Sequence, residues 1–282
     1  MLNIPQLPVV GASPLLGAFL DLQTPLTSFI DPACLAEFVA SFLLILFGCG
    51  SCANAALAKT KGNSGGYFMV VTGWAMGIGL IVFLFGRASG AHTNPAITLT
   101  LALGGVFPWR LVVPYVIAQF LGCFLGAIAV YLAHFKHFQE PADPEAKLGV
   151  FCTIPGVRSL FWNGVTEFTG TAMLLFVITG LGFAARDGNE QLFDPGFSSL
   201  TVGILIFVIG ISAGGPTGFA LNPARDLAPR FAHAILPIAG KGKSDWVYSL
   251  VPLIAPLLGG PAGYFAWRLI FGNATLPALL GG

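Results

Sequence analysis

Six long runs of hydrophobic residues, separated by shorter polar segments, dominate the chain. A helix needs about 20 apolar residues to cross a bilayer, and each run approaches or exceeds that length. The runs cover residues 34–58, 66–86, 111–133, 160–185, 196–213 and 246–271. The pattern predicts six transmembrane helices.

Two further hydrophobic stretches, residues 88–104 and 214–237, are interrupted by Gly and Pro. Broken backbone of this kind is tolerated at membrane depth only where protein or a water-filled cavity satisfies its polar groups. We therefore expect both stretches to be re-entrant. The linkers 134–158 and 186–194 carry much of the charge, and we expect them to be loops in solvent.

The two halves of the chain repeat one another. Glu37 is followed by Asn94-Pro95-Ala96, and Glu167 is followed at nearly the same spacing by Asn222-Pro223-Ala224. Because each half holds three spans and one re-entrant segment, the second half must enter the membrane from the opposite side. The predicted fold is an all-α membrane protein with six transmembrane helices and two re-entrant half-helices in an inverted repeat. Such paired, broken segments point to a site at the bilayer midplane.

The repeat also sets the expected domain boundaries. We expect one channel domain over residues 34–271, with repeat one at about 34–133 and repeat two at about 160–271. Residues 1–33 form an N-terminal tail and residues 272–282 a C-terminal tail in this interpretation.

Composition agrees with a membrane protein. Of the 282 residues, 55% are hydrophobic and 9% are charged, with a formal net charge of +1. A soluble domain carries more charge, and a near-neutral chain gives no electrostatic reason to bind nucleic acid. The five cysteines are odd in number and lie mostly in apolar runs, so no disulfide framework is expected.

Each Asn-Pro-Ala box has the residue types that begin a helix. Asn is a favoured N-cap and Pro is pre-organised for the first helical position. If each Asn oxygen caps its own helix, the amide NH₂ of Asn94 and Asn222 remains to donate to the contents of a pore. The two helix N-termini place partial positive charge at the midplane, which should repel protons and cations while a hydroxyl group passes.

The sequence around the boxes resembles the major intrinsic protein (aquaporin) family over about residues 33–271. The motifs that carry the resemblance are Gly90-Ala91-His92-Thr93-Asn94-Pro95-Ala96 and Gly218-Phe219-Ala220-Leu221-Asn222-Pro223-Ala224-Arg225-Asp226. The resemblance implies a homotetramer in the cell membrane, with one pore per subunit and both termini cytoplasmic. The distribution of Lys and Arg between the loops favours the opposite orientation.

Asp226 marks one branch of that family. Glycerol facilitators carry Asp at this position, whereas water-selective members usually carry a small residue, and Arg230 and the Pro252-Leu253 pair also resemble the glycerol branch. The resemblance therefore implies a channel for glycerol, with a water-selective channel as the alternative.

The resemblance also implies a selectivity filter, whose members by motif offset are Trp74, Gly210, Phe219 and Arg225. The aromatic rings would face the CH groups of a polyol, Arg225 would donate to its hydroxyls, and Gly210 would leave width. Arg225 falls in the first turn of a half-helix, where the dipole disfavours a cation, so a functional task is expected for it. Without the resemblance, Trp74 would be interpreted as an interfacial belt residue.

Glu37 and Glu167 are acidic residues inside predicted spans, where charge is costly and normally paired. One interpretation is a proton relay. The other, which the symmetry of the pair favours, is that each carboxylate accepts hydrogen bonds from the backbone of a re-entrant segment. His92 and Gln119 are expected to be similar buried supports.

The remaining functional classes fit less well. An ion-coupled transporter needs charged groups that change partner, and a membrane enzyme needs a nucleophile with a base or a metal cluster. The spans show neither, so the sequence predicts a passive channel that is not an enzyme, with no cofactor and no metal site. The expected solutes are glycerol and some water, with urea and metalloid hydroxides as further candidates.

Overall fold

The computed structural model describes residues 31–184 and 195–272, and these form an all-helical bundle. The helices are α1 (Pro32–Ala56), α2 (Gly66–Ser89), α3 (Pro95–Leu103), α4 (Val112–Ala133), α5 (Phe135–Gln139), α6 (Pro144–Phe151), α7 (Leu160–Ala184), α8 (Pro195–Ala213), α9 (Pro223–Ile235) and α10 (Leu250–Phe271). Within those described ranges, α1, α2, α4, α7 and α10 are long and apolar enough to cross a membrane, and Ser198–Ala213 of α8 is a shorter apolar helix.

Four of the helices begin in the same way, with Asp or Asn as the cap and Pro as the first helical residue. The side chains of Asp31, Asn94, Asp143 and Asn222 each accept a hydrogen bond from a backbone N–H in the first turn. These are groups that a helix leaves without an internal partner. The local sequence therefore fixes where α1, α3, α6 and α9 start.

The two repeats are built on equivalent helix pairs, α1 with α4 and α7 with α10. The crossing points are glycines at matching places, Gly122 and Gly126 on α4 and Gly259 and Gly263 on α10. A Cβ atom at any of the four would collide with a backbone carbonyl oxygen of the facing helix. Small residues of this kind allow helix backbones to approach closely in membranes.

The half-helices join the two repeats. Helix α3 of repeat one packs against α10 of repeat two, and α9 of repeat two packs against α4 of repeat one, while α2 packs against α8. The start of α3 meets the start of α9 inside the bundle, because the cap residue of each half-helix donates a hydrogen bond to the loop before the other. The predicted inverted repeat with six spans and two half-helices is confirmed.

Three details of the prediction were wrong. Helix α2 continues to Ser89, beyond the predicted end of its span, and α10 starts at Leu250 instead of at residue 246. The linker 134–158 is not a simple solvent loop, because it contains α5 and α6 and buries Lys147, whose ammonium donates to Phe138 O at 2.9 Å. The predicted loop 186–194 and most of both predicted tails lie outside the described residues.

Candidate solute pore

Both half-helices are capped by their own asparagine. Asn94 Oδ1 accepts a hydrogen bond from Ala96 N at 2.8 Å. Asn222 Oδ1 accepts from Ala224 N at 3.0 Å and from Arg225 N at 3.2 Å. Both asparagines are buried and have the extended backbone that an N-cap adopts.

The two asparagines also bind each other's loops. Asn94 Nδ2 donates to Leu221 O at 2.8 Å, and Asn222 Nδ2 donates to Thr93 O at 2.7 Å. A primary amide has two N–H groups, so this reciprocal bond uses one of them. The sequence predicted that both N–H groups of each amide face the pore. Instead, one N–H of each amide joins the two repeats, and only the other remains for the contents of the pore.

The loop that leads into each box has an unusual backbone. Ala91 and Thr93 in repeat one have φ of +46° and +47°, and Phe219 and Leu221 in repeat two have φ of +42° and +53°. Non-glycine residues in this left-handed region cost about 1–2 kcal/mol each. Both loops therefore need other interactions to hold them in place.

Those interactions come from the two buried glutamates. Glu37 accepts hydrogen bonds from His92 N at 2.8 Å and Thr93 N at 2.7 Å. Glu167 accepts from the equivalent groups, Ala220 N at 2.9 Å and Leu221 N at 2.8 Å. The geometry has the form of a backbone support and not of a chain of proton-transfer groups.

The same bonds fix the direction of the loop carbonyl groups. Because a trans peptide is planar, an N–H that points at a carboxylate sends the carbonyl of the preceding residue the opposite way. The carbonyls concerned are those of Ala91 and His92 in repeat one and of Phe219 and Ala220 in repeat two. All four residues line one cavity, so both loops supply hydrogen-bond acceptors there.

Repeat one has additional polar supports around Glu37. Its carboxylate also accepts from Ser89 Oγ and Gln119 Nε2, each at 2.7 Å. Gln119 Nε2 lies 3.0 Å from Thr98 Oγ1, and His92 Nδ1 lies 3.1 Å from the same hydroxyl. His92 and Gln119 thus belong to one network that holds the first loop.

Two cavities follow one another through the bundle. The central cavity has a volume of about 300 Å³ and is lined by both loops and by apolar side chains such as Leu44, Ile97 and Ile206. The mouth cavity, of about 350 Å³, lies beyond it, toward α6. Trp74, Phe219 and Arg225 line both cavities, and we call these three residues the filter junction.

Arg225 is the main polar group of the filter junction. Its guanidinium carbon lies 4.1 Å from the centroid of the Trp74 ring, which is within the range of a cation–π interaction. Its Nη1 is buried and has no hydrogen-bond partner in the protein. Trp74 and Phe219 are only 3% and 6% exposed, so Trp74 is not an interfacial belt residue.

Gly210, which the sequence predicts to leave width in the filter, lies beside Val71 and the Phe219 ring. It is buried, and it lines neither of the two cavities. A Cβ atom there would lie 2.6 Å from Val71 Cγ1 and 3.5 Å from Phe219 Cζ. The space beside Gly210 is thus filled by Val71 and by the Phe219 ring, which can lie close to α8 because position 210 has no side chain.

Asp226 points away from both cavities. It is fully buried, and its carboxylate accepts from Thr153 N at 2.8 Å, Thr153 Oγ1 at 2.6 Å and Arg230 Nε at 2.9 Å. Arg230 donates in turn to Thr153 O and Ser244 O. Asp226 therefore ties the segment after α6, which lines the mouth cavity, to α9 beside Arg225.

Sequence reasoning missed Thr153 and Tyr67, which both line the mouth cavity. Tyr67 Oη donates to Gly210 O at 3.1 Å, and its ring packs edge-on against Phe219. Its spacing of seven residues from Trp74 puts both on one face of α2 and was the available signal. Thr153 lies in a linker and gave no comparable signal.

A bundle of transmembrane helices in which two half-helices meet end to end beside a narrow cavity defines a membrane channel built as an inverted repeat. The model of the major intrinsic protein family matches residues 27–267. The chain belongs to this family, as the motifs predicted, and it is an integral membrane protein and not an enzyme.

Similar proteins support the same branch of the family. The probable glycerol uptake facilitator protein of Thermotoga maritima is 49% identical over 84% of this chain and 98% of its own length. The glycerol uptake facilitator protein of Bacillus subtilis is 46% identical over 83% of each chain. The X-ray structure of the aquaglyceroporin from Plasmodium falciparum superposes with a TM-score of 0.74 at 28% identity and covers 89% of this chain and 99% of that one.

Proposed function

We propose that this protein is a passive channel for glycerol and similarly small uncharged solutes, with some water. The observation that carries the proposal is the filter junction, where two aromatic rings and one guanidinium with an unpaired N–H separate the two cavities. A polyol has CH groups on one side and hydroxyls on the other, so it suits such a site. The relatives named above as glycerol facilitators support the same solute.

The proposed exclusion of ions follows from the charges. Among the described residues that line the two cavities, Arg225 alone carries a full charge. The N-termini of α3 and α9 add partial positive charge near Asn94 and Asn222. A cation that enters must lose hydration water and meet these charges without a carboxylate partner, so we propose that cations and protons do not pass.

The proposed roles of the residues follow from their positions. Asn94-Pro95-Ala96 and Asn222-Pro223-Ala224 form the middle of the pore, and the filter junction selects the solute. Gly210 acts indirectly, by admitting the Phe219 ring. The structural supports are Glu37, Glu167, His92 and Gln119, and the branch marker Asp226 anchors the mouth.

Further parts of the proposal concern the whole assembly. We propose a homotetramer in the cell membrane with both termini cytoplasmic, and a channel domain over residues 34–271 between two short tails. Urea and metalloid hydroxides are further candidate solutes, because they are small, neutral and form hydrogen bonds. The match of the family model to residues 27–267 supports the extent of the domain.

Solute flux tests the proposal directly. Purified protein in liposomes should give glycerol permeability well above that of protein-free liposomes, measured by stopped-flow light scattering. A panel with water, urea and arsenous acid in the same assay ranks the other solutes. Water flux without glycerol flux would contradict the proposal and would identify the water-selective alternative.

Ion exclusion is tested by opening the filter junction. Arg225→Val combined with Phe219→Ala removes the full charge and one aromatic wall, so we expect this double variant to leak protons or cations. The measurement is decay of a pH gradient or of a membrane potential across the liposomes, with wild type as the control. A tight double variant would contradict the role assigned to these residues.

A further inference from the structure

Tyr67 stands on the mouth-cavity side of the filter junction and has no role in the function proposed above. It lies in the first turn of α2, seven residues before Trp74, which corresponds to a rise of about 10.5 Å along a helix. It is 41% exposed, in contrast to 3% for Trp74. Tyr67 therefore lines only the mouth cavity and lies next to the residues that separate the two cavities.

The hydroxyl of Tyr67 holds the end of α8. Helix α8 ends at Ala213, and the last carbonyls of a helix need partners from outside it. Gly210 O accepts from Tyr67 Oη at 3.1 Å and from Gly214 N at 3.2 Å. A Cβ atom at Gly214 would collide with Tyr67 Oη, so the absence of a side chain there admits the hydroxyl.

The ring of Tyr67 supports Phe219 itself. The two ring centroids are 6.2 Å apart with the planes at 88°, an edge-to-face arrangement that aromatic pairs favour. Phe219 sits in a strained loop with φ of +42°, nine residues after Gly210. Tyr67 thus contacts both ends of the segment 210–219, which carries the Phe219 ring of the filter junction.

We propose that Tyr67 is a positioning residue of the filter: it holds the end of α8 and the Phe219 ring, and thereby sets the largest solute that the pore accepts. The inference rests on the proposed solute channel. Without the Tyr67 ring, Phe219 loses the contact that keeps its ring in place, and a longer polyol gains room to pass.

The test compares polyols of increasing length. Tyr67→Ala should raise the permeability to a four-carbon polyol relative to glycerol by about two- to twelvefold, the range expected for loss of an edge-to-face aromatic contact. Tyr67→Phe keeps the ring but loses the hydrogen bond from the hydroxyl to Gly210 O, so its ratio should lie between those of wild type and Tyr67→Ala. If Tyr67→Ala reconstitutes poorly, Tyr67→Leu keeps part of the volume without an aromatic ring and should show the same rise.

Phe68→Ala is the matched control. Phe68 is the next residue of α2 and also makes an edge-on aromatic contact with α8, at Phe207 with 5.7 Å between centroids, but it lines neither cavity of the pore. Its loss should leave the polyol ratio unchanged. An equal rise in Phe68→Ala would show that general α2–α8 packing is responsible and would overturn the inference.

The remaining outcomes separate the two proposals. A wild-type protein that passes glycerol, with an unshifted ratio in Tyr67→Ala and Tyr67→Leu, overturns the role of Tyr67 and leaves the proposed channel intact. A wild-type protein that passes no glycerol overturns the proposed function and this inference with it.

Discussion

Replacing Glu167 by Gln should collapse solute flux, because this carboxylate holds a strained loop. Phe219 and Leu221 have φ of +42° and +53°, at a cost of about 1–2 kcal/mol each. The carboxylate accepts backbone hydrogen bonds from Ala220 and Leu221, and bonds to a charged group contribute about 1.5–3 kcal/mol each. The two bonds therefore offset the strain of the loop.

Glutamine cannot reproduce both bonds. One oxygen becomes an NH₂ group that cannot accept, so one backbone N–H is left buried without a partner, at a cost of about 1–3 kcal/mol. The other bond becomes a neutral one, which contributes about 1 kcal/mol. The native conformation of the loop thus loses about 3 kcal/mol or more of hydrogen-bond stabilisation, and its backbone strain is no longer offset. Since about 1.4 kcal/mol changes an equilibrium tenfold, the native position of Phe219 becomes a minor one.

The expected result for Glu167→Gln is a fall of about tenfold or more in glycerol permeability. The assay is stopped-flow light scattering on liposomes that contain equal amounts of reconstituted protein, with no pH gradient across the membrane. Flux is the decisive measurement. Because a neutral amide costs less to bury than a carboxylate, this gain offsets part of the lost hydrogen bonding in the free energy of unfolding, and thermal stability is a less sensitive measure.

Glu37→Gln provides a matched comparison in the other repeat. Its carboxylate has two extra partners, Ser89 and Gln119, and Gln119 Oε1 is buried without a partner. After rotation of its amide, Gln119 can accept from the new NH₂ group, so the fall in flux should be smaller than for Glu167→Gln. Wild-type flux in Glu167→Gln would refute the reasoning. A loss of flux that appears only under a proton gradient would favour the relay instead.

Three further predictions concern stability. Asp226→Ala should lower the free energy of unfolding by about 3–5 kcal/mol, because Arg230 keeps a buried charge without its counterion, and thermal unfolding in detergent measures the loss. Gly263→Ala should cost about 1–3 kcal/mol in the same assay, because the new methyl group would collide with the backbone of α7. Gly164→Ala lies inside α7, where the methyl group meets open space, and should raise the stability by about 0.4–1 kcal/mol. Finally, exposed Arg158 donates a hydrogen bond to the carboxylate of Asp245, and this bond holds the pKa of Asp245 below its ordinary value. Its carboxylate therefore stabilises the fold above the ordinary carboxyl pKa, and this contribution disappears as pH falls through the lowered value. Asp245→Asn should remove that part of the acid-side decline in melting temperature, and an unchanged decline would contradict it.

The sequence was sufficient for features that depend on local chemistry or on duplication. Asn followed by Pro is a helix start by itself, so the beginnings of α3 and α9 could be located to the residue. The repeat of Glu37 and Glu167 ahead of the two boxes suggested a shared supporting role, and both carboxylates accept equivalent backbone hydrogen bonds.

Features that depend on distant contacts could not be predicted in the same way. The space beside Gly210 is filled by Val71 from another helix, and no local pattern indicates that. The linker that contains Lys147 has enough charge to suggest a solvent loop, but its ammonium is satisfied by carbonyl groups from two separate segments. Tyr67 near the end of a span is typical of an interfacial residue, and only its contacts with Gly210 and Phe219 set it apart.

The reciprocal bonds of Asn94 and Asn222 have a consequence for how the chain reaches its native state. Each repeat carries at the middle of the membrane one amide and one carbonyl whose partners lie in the other repeat. An isolated repeat would expose these groups to lipid, where an unsatisfied polar group costs several kcal/mol. The last step of assembly should therefore be the simultaneous docking of both half-helices. For the same reason, two fragments divided between α6 and α7 should associate into a working channel when they are produced together in a membrane. Neither fragment should conduct glycerol alone.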